Sequence, residues 1–544
     1  MKNFRIQYWL AAFCSLFLLT TCDAFLKEAP HDKIDKEEAY RTLSDLYLNA
    51  VASLYNYVGG CADSQGLQGT GRGVYDLNTF TSDEAIMPTR GGDWYDGGFW
   101  QGLFLHRWGV NNDAIQATWE YLYKVVMLSN RSVERIENFP VTHNEPKLSE
   151  YNAEVRALRA MYYYYLMDLF GRVPLVLSSS VSMEKVVQKE RKDIFDFAVK
   201  ELQQAAPLLS EAHSNRPGDY YGRITRPVVY FLLAKLALNA EVYTDNDWTD
   251  SVHPDGKEIY FTVGGQLLNA WQTVTAYCDS ITASGYRLEA RYETNFAVYN
   301  ESSVENIYTI PMNKALYTNQ LQYLFRSRHY NHAKAYGLGG ENGSSATVDA
   351  LRVFGYDTDG QDPRFDKCYF AHEVYDLQGK IVKLDDGTVL EYHPWEVAVD
   401  ISDTPYEKTA GARMKKYEID VNATKDGKLM ENDVVLFRYA DVLLMKSEAK
   451  VRNGESGDEE LAKVRSRVKA ASRPATLATL LDERLLELAW EGWRRQDLIR
   501  FGMFTRAYDS RPQLPKEANG YTTVFPIPGN VLKMNGRLVQ NKGY

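Results

Sequence analysis

Residues Glu154–Val176 (EVRALRAMYYYYLMDLFGRVPLV) leave this chain little choice of fold. At helical spacing, Leu158, Tyr162, Tyr165 and Leu169 line one side, and Ala160, Tyr163, Met167 and Phe170 line the other. A helix that is apolar on two sides has to be covered on two sides. Ala157 and Ala160 are small enough for a neighbouring helix to approach closely. Gly171 supplies a C-terminal stop, and Pro174 prevents a restart. The stretch is therefore the buried helix of an α-helical assembly. Its four consecutive tyrosines predict rings packed between helices, with hydroxyls reaching polar partners.

Further helical spacing predicts helices over 36–57, 112–139, 148–170, 191–209, 227–242 and 271–284, then over 433–453, 458–471 and 477–500. Alanines at close-contact positions, such as Ala234 and Ala237, suggest stacked helix pairs of the tetratricopeptide kind, although the strict 34-residue repeat pattern is absent. The expected fold class is mostly α, a tetratricopeptide-like scaffold with an irregular insert. Gly59–Gly109 is dense in Gly, Asp and aromatics without a sustained period and reads as one long loop. Residues 285–430 read as a loop-rich insert. Within it, Asn306–Pro311 is strand-like, and Ile381–Leu384 and Val389–Tyr392 flank Asp386-Gly387 as a hairpin. The expected division is a signal at 1–21, a helical part at 22–284 carrying the loop 59–109, the insert at 285–430, and a helical C-terminal part at 431–544.

At the N-terminus, Lys2 and Arg5 precede an apolar run to Leu19 that is too short for a good spanning helix and reads as a signal segment. It ends in Leu19-Thr-Thr-Cys22, which resembles a bacterial lipobox with Cys22 as the lipidated residue; an ordinary cleaved signal followed by an unrelated cysteine is the alternative. Asp23 leaves the choice between inner and outer membrane open. The net charge of −10 becomes two units more negative once Lys2 and Arg5 leave, which argues against nucleic acid as a partner. Cys61, Cys278 and Cys368 would remain besides Cys22 and allow one internal disulfide at most. With 38 Tyr and 10 Trp, the aromatic load exceeds what a core needs and suggests aromatic recognition at the surface.

Several motifs carry a resemblance. Leu158–Val176, ending in Gly-Arg-Val-Pro-Leu, is similar to the helix and exit of the SusD/RagB-type outer-membrane nutrient-binding lipoproteins. Phe437–Met445 (FRYADVLLM) with Glu448-Ala449 resembles a second family motif, and Glu483–Leu488 with Glu491-Gly492 and Asp497-Leu498 a third. The tail Phe525–Pro528, Asn535 and Gln540–Tyr544 resembles the family ending, with Lys542 where proline is usual. The resemblance implies a cell-surface, lipid-anchored outer-membrane protein. Such a protein captures oligosaccharides and delivers them to a TonB-dependent transporter, without catalysis and without a cofactor.

The sharpest candidate for ligand contact is Asp83–Trp100. Glycines on both sides keep Trp94 and Tyr95 out of regular structure, so flat rings are presented on which the C–H faces of sugars can stack. Asp83, Arg90 and Asp93 supply charged groups that grip hydroxyls. Trp100, Phe104 and Trp108, spaced by four, read instead as pins that hold the loop down. The family places further ligand aromatics in the insert, which implies a second wall from Tyr317, Phe325, Arg326, Tyr330 and Tyr336, with Trp395 a weaker candidate.

Enzyme signals are poor. The chain has no G-x-S-x-G and no G-K-[ST]. His372-Glu373 lacks a second histidine, and Cys368 with His372 lacks two further metal ligands. Asp83 and Glu84 are an acid pair of the type a glycoside hydrolase uses, so hydrolysis stays open as a lesser alternative. A peptide- or protein-binding member of the same family, or a pure assembly scaffold, is another. Asp245, Asp247 and Asp250 read as a solvated acidic turn. Arg484, Glu487, Glu491 and Arg495 read as structural ion pairs.

Overall fold

The computed structural model describes residues 40–60, 65–68, 71–140, 145–250, 252–315, 326–508 and 510–544. The signal segment, Cys22, Cys61, Tyr317 and Phe325 lie outside the described residues. Residues up to Asn49 form one unit and those from Ala50 a second. In the first, Thr42 caps the helical turn Leu43–Leu46: its hydroxyl accepts the Asp45 N–H while the Asp45 carboxylate accepts the Thr42 N–H.

Asn112 accepts the N–H groups of Ala114 and Ile115 and so starts the helix Asp113–Glu137. Pro146 sits in the first turn of the next helix, Pro146–Phe170, where its missing N–H leaves nothing unpaired. Gly171 ends that helix with φ 65°. The two long helices pack on each other, and the second also packs on Arg191–Ala205. Every residue from Ala157 to Phe170 is buried, as the two-sided apolar pattern requires. Burying a Leu- or Phe-sized side chain contributes about 1.5–3 kcal/mol, so this helix is a principal anchor of the fold. The hydroxyls of three of its four consecutive tyrosines find partners. Tyr162 meets the Tyr121 hydroxyl at 2.9 Å, Tyr163 donates to the Val176 carbonyl at 2.8 Å, and Tyr164 donates to Gln496 Oε1 at 2.9 Å.

The helices then pair in succession. Arg226–Leu238 packs on Ala270–Ala283, which packs on Tyr439–Asn453, which in turn packs on Asp458–Arg467 and Leu477–Leu488. This is a mostly α, tetratricopeptide-like arrangement, and the strands of the described residues form only two-stranded pairings. Asn306–Ile310 pairs antiparallel with Val434–Arg438. His372–Glu373 pairs with Glu391–Tyr392, and backbone bonds from Leu384 N–H to Thr388 and from Leu390 N–H to Val382 close the hairpin around Asp386-Gly387.

Three expectations need correction. The predicted helix over 433–453 begins with the strand Val434–Arg438 and turns helical only at Tyr439. The predicted helix over 477–500 is two helices, Leu477–Leu488 and Arg494–Arg500, because Trp490 and Gly492 take left-handed φ values of 65° and 76°. The loop 59–109 contains the short buried helix Val74–Thr79 and the helix Phe99–Phe104. Trp100, Phe104 and Trp108 are buried, as pins should be.

A buried ion network ties the C-terminal helices to the insert. Arg438 reaches Glu305 at 2.8 Å, Glu487 at 2.6 Å and Glu491 at 2.8 Å. Glu487 also meets Arg364 and Arg467, while Lys416 meets Glu491. Burial alone would raise the Glu487 carboxyl, but Arg467, Arg438 and Arg364 outweigh it and hold it well below the usual carboxylate range. Arg484 binds Asp441 and Asp497, and Arg495 binds Asp168. These four residues are structural, with partners on other elements rather than on each other. Cys278 and Cys368 are buried free thiols.

Candidate functional site

The loop after Ile86 is held by its neighbours before it reaches solvent. Ala85–Ile86 pairs with Ser345–Ala346, and Thr89 exchanges backbone bonds with Val399 and Ile401 at 3.0 Å each. Arg90 and Asp93 then bond each other's backbone at 3.0 Å, closing a tight turn over Gly91-Gly92. Trp94 follows with φ 63°, a conformation that costs a non-glycine residue roughly 1–3 kcal/mol. Its indole N–H donates to the Glu341 carbonyl at 2.8 Å, its carbonyl accepts from Gln101 at 3.1 Å, and its ring meets Trp100 edge-on at 5.9 Å. The half-buried ring is thus fixed, while the adjacent Tyr95 is 60% exposed.

The insert supplies the facing wall. His329 caps the short helix Tyr330–Lys334, accepting the Asn331 N–H on Nδ1 at 3.1 Å. Asn331 donates to the Lys383 carbonyl and to Asp385, both at 2.9 Å, which fixes the hairpin tip beside the helix. The Tyr330 hydroxyl donates to Asp93 Oδ2 at 2.9 Å and joins the two walls. Between them lies a cavity of about 410 Å³ whose lining includes Arg90, Asp93, Tyr330, Asn331, Asp385 and Lys408. Desolvation, with Arg413 and Lys408 adding to it, lowers His329 to about 4, so its imidazole is neutral at pH 7. Desolvation and then the bond to Asp93 push the Tyr330 phenol up to about 12, so it remains a donor throughout the physiological range.

The structure brings Asp93 and Tyr330 together and keeps Trp94 and Tyr95 on the same loop. It corrects four candidates. Asp83 is buried, its carboxylate gripped by Arg494 at 2.6 and 2.8 Å, and so is committed to the scaffold. Arg326 is buried in a forked pair with Asp76 at 2.7 and 2.8 Å. Arg90 backs the cavity, but its guanidinium is spent on the Gly343, Glu407 and Ala410 carbonyls and the Ser345 hydroxyl. Tyr336 is half-buried and donates to the Tyr375 carbonyl at 2.9 Å, pinning the short helix to the hairpin rather than lining the cavity. Glu84, the other half of the suggested acid pair, is buried and accepts the Trp490 N–H. Sequence reasoning missed His329, Asn331, Asn342, Asp385, Asp386, Glu407 and Lys408 in the lining; only Asp386-Gly387 had been singled out, as a turn.

Stacked helix pairs carry a cleft built from one long loop and one insert, and no helix among the described residues is long and apolar enough to cross a membrane. The pattern of the SusD family matches residues 354–544, and that of a family described as starch-binding associating with outer membrane matches residues 67–238. Both patterns are those of the SusD/RagB family. It is similar to the starch-binding protein SusD of Bacteroides thetaiotaomicron, 24% identical over 445 residues and 72% of each chain. A SusD-like protein of Formosa agariphila is 23% identical over 99% of this chain and 100% of that one. Among solved structures, a SusD-like protein from Bacteroides fragilis superposes with a TM-score of 0.71 at 18% identity, covering 95% of this chain and 100% of that one. A laminarin-binding SusD-like protein does so at 0.66 and 19%, covering 92% and 99%. At such identities these structures speak to the fold.

Proposed function

We propose that this protein binds oligosaccharides at the cell surface, in the cleft between the Trp94 loop and the Tyr330 helix, and delivers them to a TonB-dependent outer-membrane transporter. The observation that carries the reading is the Tyr330–Asp93 bond, which joins the two walls beside an ordered, strained tryptophan and an exposed Tyr95. Rings of this kind offer a stacking face, and Asp93, Asn331, Asp385 and Lys408 offer donors and acceptors for hydroxyls. Relatives named for starch and laminarin binding support the ligand class. Lipidation at Cys22 would tether the helical parts 22–284 and 431–544 at the surface, with 285–430 as the ligand-facing insert. The action is capture and handover rather than catalysis.

The test is a panel of starch- and laminarin-derived oligosaccharides titrated against the purified protein, read by tryptophan fluorescence and calorimetry. Saturable binding to at least one is expected; none across a broad panel would reject the reading. Handover is tested separately, by co-purification with a TonB-dependent transporter from intact outer membranes.

A further inference from the structure

Arg191 begins the helix Arg191–Ala205 and is fully buried, yet none of its three guanidinium nitrogens has a hydrogen-bond partner in the protein. The guanidinium lies 5.1 Å from the centre of the Tyr243 ring and 5.5 Å from that of Trp248. Ring faces offset part of the cost of burying the charge, but they accept none of its N–H donors in a directed bond. An unpaired buried cation is expensive, and arginine does not escape by losing its proton. Trp248, also buried, has an indole N–H without a partner as well.

Both residues line a cavity of about 550 Å³, within the roughly 300–1,000 Å³ typical of small-molecule sites. It shares no lining residue with the cleft at Tyr330. Its other cation, Arg500, is committed to Glu448 and Asp497 at 2.7 and 2.8 Å. The wall also carries four carboxylates, Glu241, Asp245, Asp250 and Asp255, and Asp245 meets His253 at 2.9 Å. A simple anion would satisfy Arg191 but face these carboxylates. A simple cation would suit the carboxylates and leave Arg191 unpaired.

We infer that this cavity binds a small zwitterion of the free α-amino acid or dipeptide class, its carboxylate forked on Arg191 beside the Trp248 indole N–H and its ammonium facing Asp250 and Asp255. The site is independent of the glycan cleft, and its failure would leave that reading untouched.

The experiment titrates the purified chain with leucine and with the dipeptide Leu-Leu. N-acetyl-leucine, which has only the carboxylate, and leucinamide, which has only the ammonium, serve as controls. Leucine or the dipeptide is expected to bind saturably, with each control at least about tenfold weaker. Arg191→Lys, which cannot make the forked contact, weakens the zwitterion about tenfold or more. Asp250→Asn, at an exposed position, weakens the zwitterion while improving N-acetyl-leucine, and it decides the matter if the Arg191 variant does not fold. Saturable binding of neither zwitterion, equal binding of N-acetyl-leucine, or folded variants that bind like the parent protein would overturn the assignment.

Discussion

Asp93 and Tyr330 stand 237 positions apart in the chain and share a hydrogen bond of 2.9 Å. One belongs to a glycine-bounded loop and the other to the first turn of a short insert helix. The cleft therefore comes into being only when two distant segments meet.

Replacing Trp94 tests the proposed glycan contact directly. Trp94→Ala is expected to weaken oligosaccharide binding by about 2 kcal/mol, in line with buried tryptophan anchors elsewhere. The melting temperature should change little, since the ring is half-buried at the edge of the fold. Calorimetry showing unchanged affinity would reject Trp94 as a ligand contact.

A second variant reaches the same ring without altering it. A Cβ on Gly343 would come within 2.7 Å of Met87 Sδ and 2.8 Å of the Trp94 indole. Gly343→Ala should therefore displace Trp94 and reproduce much of its loss of affinity. Binding at the parent level would mean that the ring position is irrelevant to the ligand.

The ion network predicts a stability effect. Arg438→Met leaves Glu305, Glu487 and Glu491 buried beside one cation fewer, and removing one partner of a buried pair costs about 3–5 kcal/mol. Urea unfolding should show a loss of that order; a change below about 1 kcal/mol would contradict it.

Stability should also depend on pH in a definite direction. Burial raises the carboxyls of Glu84 and Asp433 to about 7 each. Both bind a proton more tightly in the folded chain than unfolded, where such groups titrate near pH 4. Their contribution is complete below about pH 4 and is lost as the pH rises through 7. Melting temperature should fall between about pH 5 and 8, and Glu84→Gln should flatten that fall. Identical slopes for parent and variant would exclude Glu84 as a source.

The long helices were legible because each carries its own period, as Leu158, Tyr162, Tyr165 and Leu169 do. What stayed hidden depended on partners far along the chain. Val434–Arg438 is a strand because Asn306–Ile310 lies beside it, and nothing within FRYADVLLM announces that neighbour. Val74–Thr79 is a buried helix only six residues long, too short to display a period. Asp83 and Arg326 had the right chemistry for a ligand, but Arg494 and Asp76 had already claimed them. The loop setting of Asp93 and Trp94 was legible because the surrounding glycines advertise it. The acids opposite them come from a hairpin tip whose turn was visible but whose direction was not.

The end of the central helix has a consequence for the order of events in folding. The Phe525 N–H bonds the Leu169 carbonyl at 2.7 Å, and Asn541 donates to the Phe170 carbonyl at 2.8 Å. Phe170 is thus finished by residues that a ribosome adds more than three hundred positions later. A chain still emerging from synthesis therefore cannot close this helix end until its last residues have been added.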